Sequence, residues 1–207
     1  MTSHPKMPDA NTADQLQYGV VQRPKPGGRV SGDAYLVREH GLQVTVALAD
    51  GLGSGEEAAL AARRAVEVVG ENLQYPLSEV MIRCHQALRG TRGAVMALLR
   101  LDRAQKEVAF LGVGNVGFYA HSATPIHAIS GNGIVGYHLP NLREFRHPYT
   151  PGDTFILFSD GVSNHFTFAE ERRHLNMDAP PQELAEEIVT RFGKKDDDAT
   201  ILVLRCS

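Results

Sequence analysis

Aspartates recur in this chain where a strand would start or stop. They stand in Val30-Ser31-Gly32-Asp33, in Val46-Ala47-Leu48-Ala49-Asp50-Gly51, in Leu157-Phe158-Ser159-Asp160-Gly161 and in Asp197-Asp198-Ala199-Thr200. Three of these stretches lie beside apolar and β-branched runs that read as strands, and Asp33 opens another. A carboxylate at the end of a buried strand is costly unless positive charge meets it. Several meeting at one place require a hard cation, and oxygen donors of this kind suit magnesium or manganese. Paired ions of that type activate a water near neutral pH and neutralise charge on a phosphoryl group, so the chemistry indicated is attack of a metal-activated water on a phosphate ester.

The elements that must position these residues can be read along the chain. The polar stretch up to Leu16 is expected to be a mobile arm (residues 1–16), and 17–207 to form one domain, because no composition break divides it. Gln17 to Gln22 and Ala34 to Arg38 read as short strands. Leu42 to Ala49 alternates Val44, Val46 and Leu48 with Gln43, Thr45 and Ala47, the period of a sheet with one better-buried face. Glu56 to Leu73 is Ala-rich, acidic in its first turn and free of proline, which predicts a helix. A second helix is expected over Leu77 to Leu88 and a third over Pro180 to Phe192.

Ala94 to Leu101, Glu107 to Val113 and Val116 to Ala120 follow at hairpin distance, with 102–106 and Gly114-Asn115 as connecting turns. Pro125 to Ser130 is a candidate strand, and Gly131 to Pro148 reads as irregular. Thr154 to Ser159 is a strongly apolar strand, and Thr200 to Leu204 a closing one. Hairpin-spaced strands with segregated helices predict an α+β fold of antiparallel sheets, packed face to face with helices outside.

The totals narrow the classes. Of 207 residues 43% are hydrophobic and 22% charged, an ordinary composition for a water-soluble domain. With 21 basic and 24 acidic residues the net charge is −3, which gives no general attraction for nucleic acid or an anionic membrane. Cys84 and Cys206 stand far apart and form no CxxC, which fits a reducing cytosol and predicts a cytoplasmic protein. The start has no apolar h-region of a secretory signal, and no apolar run is long enough to span a bilayer.

Two glycine motifs compete with the carboxylate reading. Gly112-Val113-Gly114-Asn115-Val116-Gly117 matches GxGxxG, and a nucleotide-binding α/β domain is the rival it suggests. That fingerprint needs a helix after the last glycine, whereas Phe118 to His121 reads as a strand, so glycine in a tight hairpin is favoured. Gly51-Leu52-Gly53-Ser54-Gly55 has a strand before it and a helix after, but its sixth position is Glu56. The histidines show no HExxH, and there is no GxSxG elbow. Each aspartate alone is matched by an innocent reading as a turn residue or a solvated charge run; the set is what carries weight.

Taken in order, these residues resemble the metal-dependent type 2C (PPM) serine/threonine protein phosphatases, over nearly the whole chain from Val30. Gly32-Asp33 resembles the first acidic motif. Ala49-Asp50-Gly51-Leu52-Gly53-Ser54-Gly55 resembles the second in its bacterial sporulation-phosphatase form. Gly114-Asn115 matches the glycine–polar turn between central strands, Phe158-Ser159-Asp160-Gly161-Val162 the late motif, and Asp197-Asp198-Ala199-Thr200 the last.

The resemblance implies a four-layer α-β-β-α sandwich with two or more manganese or magnesium ions at one end. Asp33, Asp50, Asp160 and Asp197 match metal ligands that act through a metal-activated water. Gly51 would contribute its carbonyl, and Asp198 follows the last ligand and is grouped with the metal set. Arg29 lies near the place of a phosphate-binding arginine. Leu52 departs from the pattern, since many members have histidine there. The short chain is similar to the stressosome feedback branch, which implies phosphoserine or phosphothreonine on STAS-domain proteins as substrate. A catalytically silent, partner-binding domain of the same fold is the alternative.

Overall fold

The computed structural model describes residues 16–206. Apart from Leu16, the arm expected at 1–16 lies outside them. The strands are β1 (Gln17–Arg23), β2 (Asp33–His40), β3 (Gln43–Gly51), β4 (Ala94–Asp102), β5 (Glu107–Val113), β6 (Gly117–His121), β7 (Phe145–Pro148), β8 (Thr154–Phe158) and β9 (Ala199–Arg205). The helices are α1 (Glu56–Glu71), α2 (Leu77–Ala87), the single turn α3 (Ala169–Arg172) and α4 (Pro181–Phe192). The strands form two antiparallel sheets, a four-stranded one ordered β1-β9-β8-β6 and a five-stranded one ordered β2-β3-β4-β5-β7. The α-β-β-α sandwich predicted from the chain is the fold observed.

The layers follow from strand periodicity. Successive side chains point to opposite faces of a sheet, so each inner strand feeds two cores. In β3 and β4 the large residues Val44, Val46, Leu48, Leu99 and Leu101 meet Phe155, Leu157, Leu202 and Leu204 of the other sheet. The intervening Ala47, Ala49, Met96 and Leu98 turn outward, where Ala62, Ala65 and Val69 of α1 and Met81 of α2 cover them. Ile156, Ile201 and Val203 likewise meet Leu184 and Ile188 of α4. The alternation in β3 is therefore one of side-chain size, not of exposure. Its second face is buried as well, beneath a helix close enough to demand alanine.

Three expectations are corrected. Gly114-Asn115 does not close a hairpin: β5 and β6 belong to different sheets, and this turn carries the chain across the sandwich. Gly114 has φ 90°, and a β-carbon on it would fall 2.1 Å from Val95 Cγ1, so the crossing depends on glycine. Pro125 to Ser130 forms no strand. β7 already pairs with β5 from Glu107 to Phe110, and only Gly131 is left to bridge β5 at its far end. β7 itself lies inside the stretch expected to be irregular, as four residues with half-buried Phe145 and His147. Gly117 leads into strand β6 rather than a helix, which removes the dinucleotide reading.

All these connections bring the C-terminal ends of β3 and β8, and the starts of β2 and β9, to one edge of the sandwich. There the backbones are packed without space for side chains. A β-carbon on Gly51 would lie 2.0 Å from the Ala58 carbonyl oxygen in α1, and one on Gly161 would lie 1.8 Å from that of Asp198. We expect Gly161→Ala to force these segments apart at about 1–3 kcal/mol, lowering the melting temperature by several degrees in differential scanning calorimetry. Unchanged melting would show that this edge is looser than its packing indicates.

Candidate active site

Asp33 and Asp50 are cross-strand partners at the edge of the five-stranded sheet. Asp160 follows β8, and Asp197 and Asp198 precede β9, at the same edge of the other sheet. All five line one cleft of about 290 Å³, together with Leu52, Gly53, Val95, Asn115 and Ile134. Aspartates as far apart in the chain as Asp33 and Asp198 thus converge. Gly51 is buried beside them, fixed by its N–H to the Gly32 carbonyl at 3.1 Å. Arg29 is exposed on the loop before β2 and is not among the residues lining the cleft.

Hydrogen bonds tie the carboxylates across the two sheets. Ser159, fully buried, donates its Oγ–H to Asp33 Oδ2 at 2.8 Å and accepts from the Thr200 N–H at 3.0 Å. One side chain therefore links β2 to β8 and β9. Asp198 accepts the Lys25 N–H at Oδ1 (2.8 Å) and the Gly32 N–H at Oδ2 (2.9 Å), clamping the β1–β2 loop onto the start of β9. Asn115 Nδ2 donates to Asp160 Oδ2 at 2.7 Å. Asn115 sits on the crossing turn between the sheets, so the turn that carries the chain over also aims Asp160.

Ser159 and the amide partners of Asp198 are what sequence reasoning left out. Ser159 lay within a quoted motif, but only the fold shows that its hydroxyl reaches Asp33. Arg92 was not anticipated at all. Its guanidinium packs on Gly53, where a β-carbon would come within 2.7 Å of Nη1, and pairs with Glu57 at 2.5 Å.

Burial and mutual repulsion dominate the electrostatics of the cleft. Burial pushes the Asp33 carboxyl up to about 6; hydrogen bonding from Thr200 and Ser159 offsets part of this, and the charges of Asp198 and Asp160 add to it. Burial, then Asp33, Asp160, Asp197 and Asp198 in turn, push Asp50 up to about 8. Among the described residues no three His, Cys, Asp or Glu side chains are gathered tightly enough to cage an ion; the carboxylates line an open cleft instead. The oxygen-only donor set, its mutual repulsion and the absence of a cation along its lining fit a hard divalent metal. The thiols are unsuited to chemistry: burial raises Cys84 and Cys206 to about 12, and Cys84 Sγ points to the Ala65 carbonyl.

A sandwich of two antiparallel sheets between helices, with aspartates from both sheets meeting at one edge, defines a type 2C protein phosphatase domain. The family model described as Stage II sporulation protein E (SpoIIE) matches residues 40–207, and the chain belongs to that family. The phosphoserine phosphatase RsbX of Bacillus subtilis (strain 168) is 24% identical over 92% of this chain and 94% of its own. A structure from the bacterial stressosome, described as a modular system adapted to control secondary messenger signaling, is 34% identical with a TM-score of 0.86. It covers 92% of this chain and 100% of that one. RsbX in complex with magnesium is 25% identical with a TM-score of 0.82, over 93% of this chain and 96% of the other. The enzyme class is accordingly that of a protein serine/threonine phosphatase. Among the described residues no helix is long and apolar enough to cross a membrane.

The raised carboxyls predict how the metal-free protein responds to pH. Asp33 and Asp50 bind protons more tightly folded than unfolded, where the ordinary value is 3.8. Folding is therefore favoured at low pH, and that contribution is lost as pH rises from about 4 through 8. In chelator, the melting temperature should fall by several degrees between pH 5 and pH 8, and Asp50→Asn should flatten the slope. A metal-free protein that melts higher at pH 8 would contradict the assigned environment.

Proposed function

We propose that this chain hydrolyses phosphoserine and phosphothreonine esters on proteins with the help of two or more manganese or magnesium ions. Asp33, Asp50, Asp160 and Asp197 would hold them, with the Gly51 carbonyl. Asp198 serves mainly to fix the Gly32-Asp33 backbone, since both its oxygens already accept main-chain amides. The observation that carries the reading is the meeting of these carboxylates, from two sheets, in one cleft. The magnesium complex of RsbX supports the choice of ion class.

When bound, such ions acidify a water and draw charge from the phosphoryl oxygens. The chain's own residues do the rest. Asp33 and Asp50, on adjacent rigid strands, set one side of the site, and Asp160, oriented by Asn115, sets the other. In the hydrolysis a bond forms between phosphorus and the water oxygen, and the bond to the serine or threonine oxygen breaks. That oxygen leaves with a proton. No histidine lines the cleft, and Leu52 stands where many members of the family have one, so the leaving oxygen takes its proton from water in the open site, to which the attacking water gives one up.

The proposed substrates are phosphorylated STAS-domain proteins of a stress-signalling assembly, acted on in the cytoplasm. The likeness to RsbX and to the stressosome structure supports this choice. A partner-binding module without catalysis is the contrasting reading. It is disfavoured because buried, mutually repelling carboxylates cost stability that a scaffold has no reason to bear.

Turnover of p-nitrophenyl phosphate should require added manganese or magnesium and stop in chelator. Full activity after dialysis against chelator would defeat the metal assignment. Loss of outer-shell partners typically costs about 10–100-fold at metal sites, so Asp160→Ala should lower kcat by at least about 100-fold, while Asn115→Ala should cost roughly tenfold. If Asp160→Ala retains normal turnover, Asp160 is only a turn residue.

A further inference from the structure

A second, larger cavity of about 530 Å³ opens directly from the aspartate cleft and shares Asn115 and Asp160 with it. Nothing in the chemistry above uses it. It is lined by the crossing turn, the start of β6 and Ala128 to Ser130, together with Val162 to Asn164, Thr167 and Lys194. Its lining is apolar at Val116, Phe118, Phe158 and Val162, and Ile129 on its edge is 70% exposed. At 300–1,000 Å³, cavities of this kind are the size that recognises a ligand rather than a water.

The charges along it are asymmetric. Asp160 stands at the end joined to the cleft. Lys194 is the one cation in the lining, it is exposed, and among the described residues its ammonium group has no ion pair. The Lys194 backbone is held, because its N–H donates to the Gly161 carbonyl at 2.8 Å. The position of Lys194 is thus set by the residue that follows Asp160, while its side chain remains available.

We propose that this cavity receives the polypeptide flanking the phosphorylated residue, with apolar side chains on Phe118, Phe158 and Ile129 and an acidic side chain at Lys194. This deepens the phosphatase reading and rests on it: a phosphoryl group in the aspartate cleft has its own chain beside Asp160, where the cavity begins. Acidic flanks suit it for a further reason. The cleft itself repels anions until metal is bound, and Lys194 is the cation of the cavity lining that can draw an acidic segment towards it. The occupant is a protein segment of the substrate; the phosphates of a free nucleotide or lipid headgroup would meet Asp160 with only Lys194 to balance them.

The test compares two phosphoserine peptides, alike but for acidic or basic residues within a few positions of the phosphoserine. Each is measured against p-nitrophenyl phosphate, with manganese present. The wild-type protein should prefer the acidic peptide in kcat/KM, less so at high salt. Lys194→Glu should lower the acidic-peptide to p-nitrophenyl phosphate ratio about tenfold and turn the preference towards the basic peptide. Ile129→Ser, at an exposed site that tolerates it, should lower the ratio for both peptides through KM. Equal ratios in wild type and both variants would overturn the cavity assignment while leaving the phosphatase intact. Absence of metal-dependent turnover of p-nitrophenyl phosphate by the wild type would overturn the phosphatase reading and this proposal together.

Discussion

The structure is organised around negative charge concentrated where water is partly excluded. Asp33 and Asp198 are only 5% and 6% exposed, and Asp33 and Asp50 face each other across two paired strands. Their repulsion, added to desolvation, works against folding. The fold tolerates this because each carboxylate is restrained by hydrogen bonds or by its strand. Ser159 holds Asp33, two backbone amides hold Asp198, and Asn115 holds Asp160. The same restraints fix where the oxygens point, so the cleft presents its carboxylates in a preorganised arrangement.

That arrangement needs two sheets. A single antiparallel sheet would leave its end carboxylates in a row facing solvent. Stacking β3 and β4 on β8 and β9, with Leu48, Leu99, Phe155 and Leu202 between them, brings the ends of both sheets together at a fixed separation. Glycine then lets the backbones close up. Gly51 lies against the first turn of α1, Gly161 against the Asp198 carbonyl, and Gly114 turns the chain from one sheet to the other. Asp33, Asp50 and Asp160 sit beside glycines because the backbones approach closely there.

The cleft and the cavity beside it differ in character. The cleft is lined by carboxylates, and the neighbouring cavity mixes apolar side chains with polar ones and Lys194. Arg92 packs against Gly53, which lines the cleft. An extended lid is not built over either region: Gly131 to Pro148 is compact, secured by the Val135–Ala94 bridge and by β7 on β5. A site left open in this way suits a folded phosphoprotein better than a small metabolite that must be enclosed.

Much of this was legible along the chain, for physical reasons. Strand and helix periods are local properties, so β3, β4, β8, β9, α1, α2 and α4 could be read with their boundaries nearly right. The aspartates were legible because charge beside an apolar strand is anomalous wherever it occurs. Pairing is not local, and there the reading stopped. Hairpin spacing suggested that β5 and β6 were partners, yet Gly114 sends them to different sheets. Pro125 to Ser130 had strand-like residues but joins no strand ladder, whereas four unremarkable residues at Phe145–Pro148 take the edge of β5. Which carboxylate meets which partner was also undetermined. Ser159 and Asp33 are 126 residues apart, and only packing of one sheet on the other puts a hydroxyl hydrogen 2.8 Å of oxygen-to-oxygen distance into a carboxylate. The sequence by itself determined the residue types, their order and the layers they would form; the tertiary structure decided the neighbours, because those depend on which edges and faces remain free once every other element is in place.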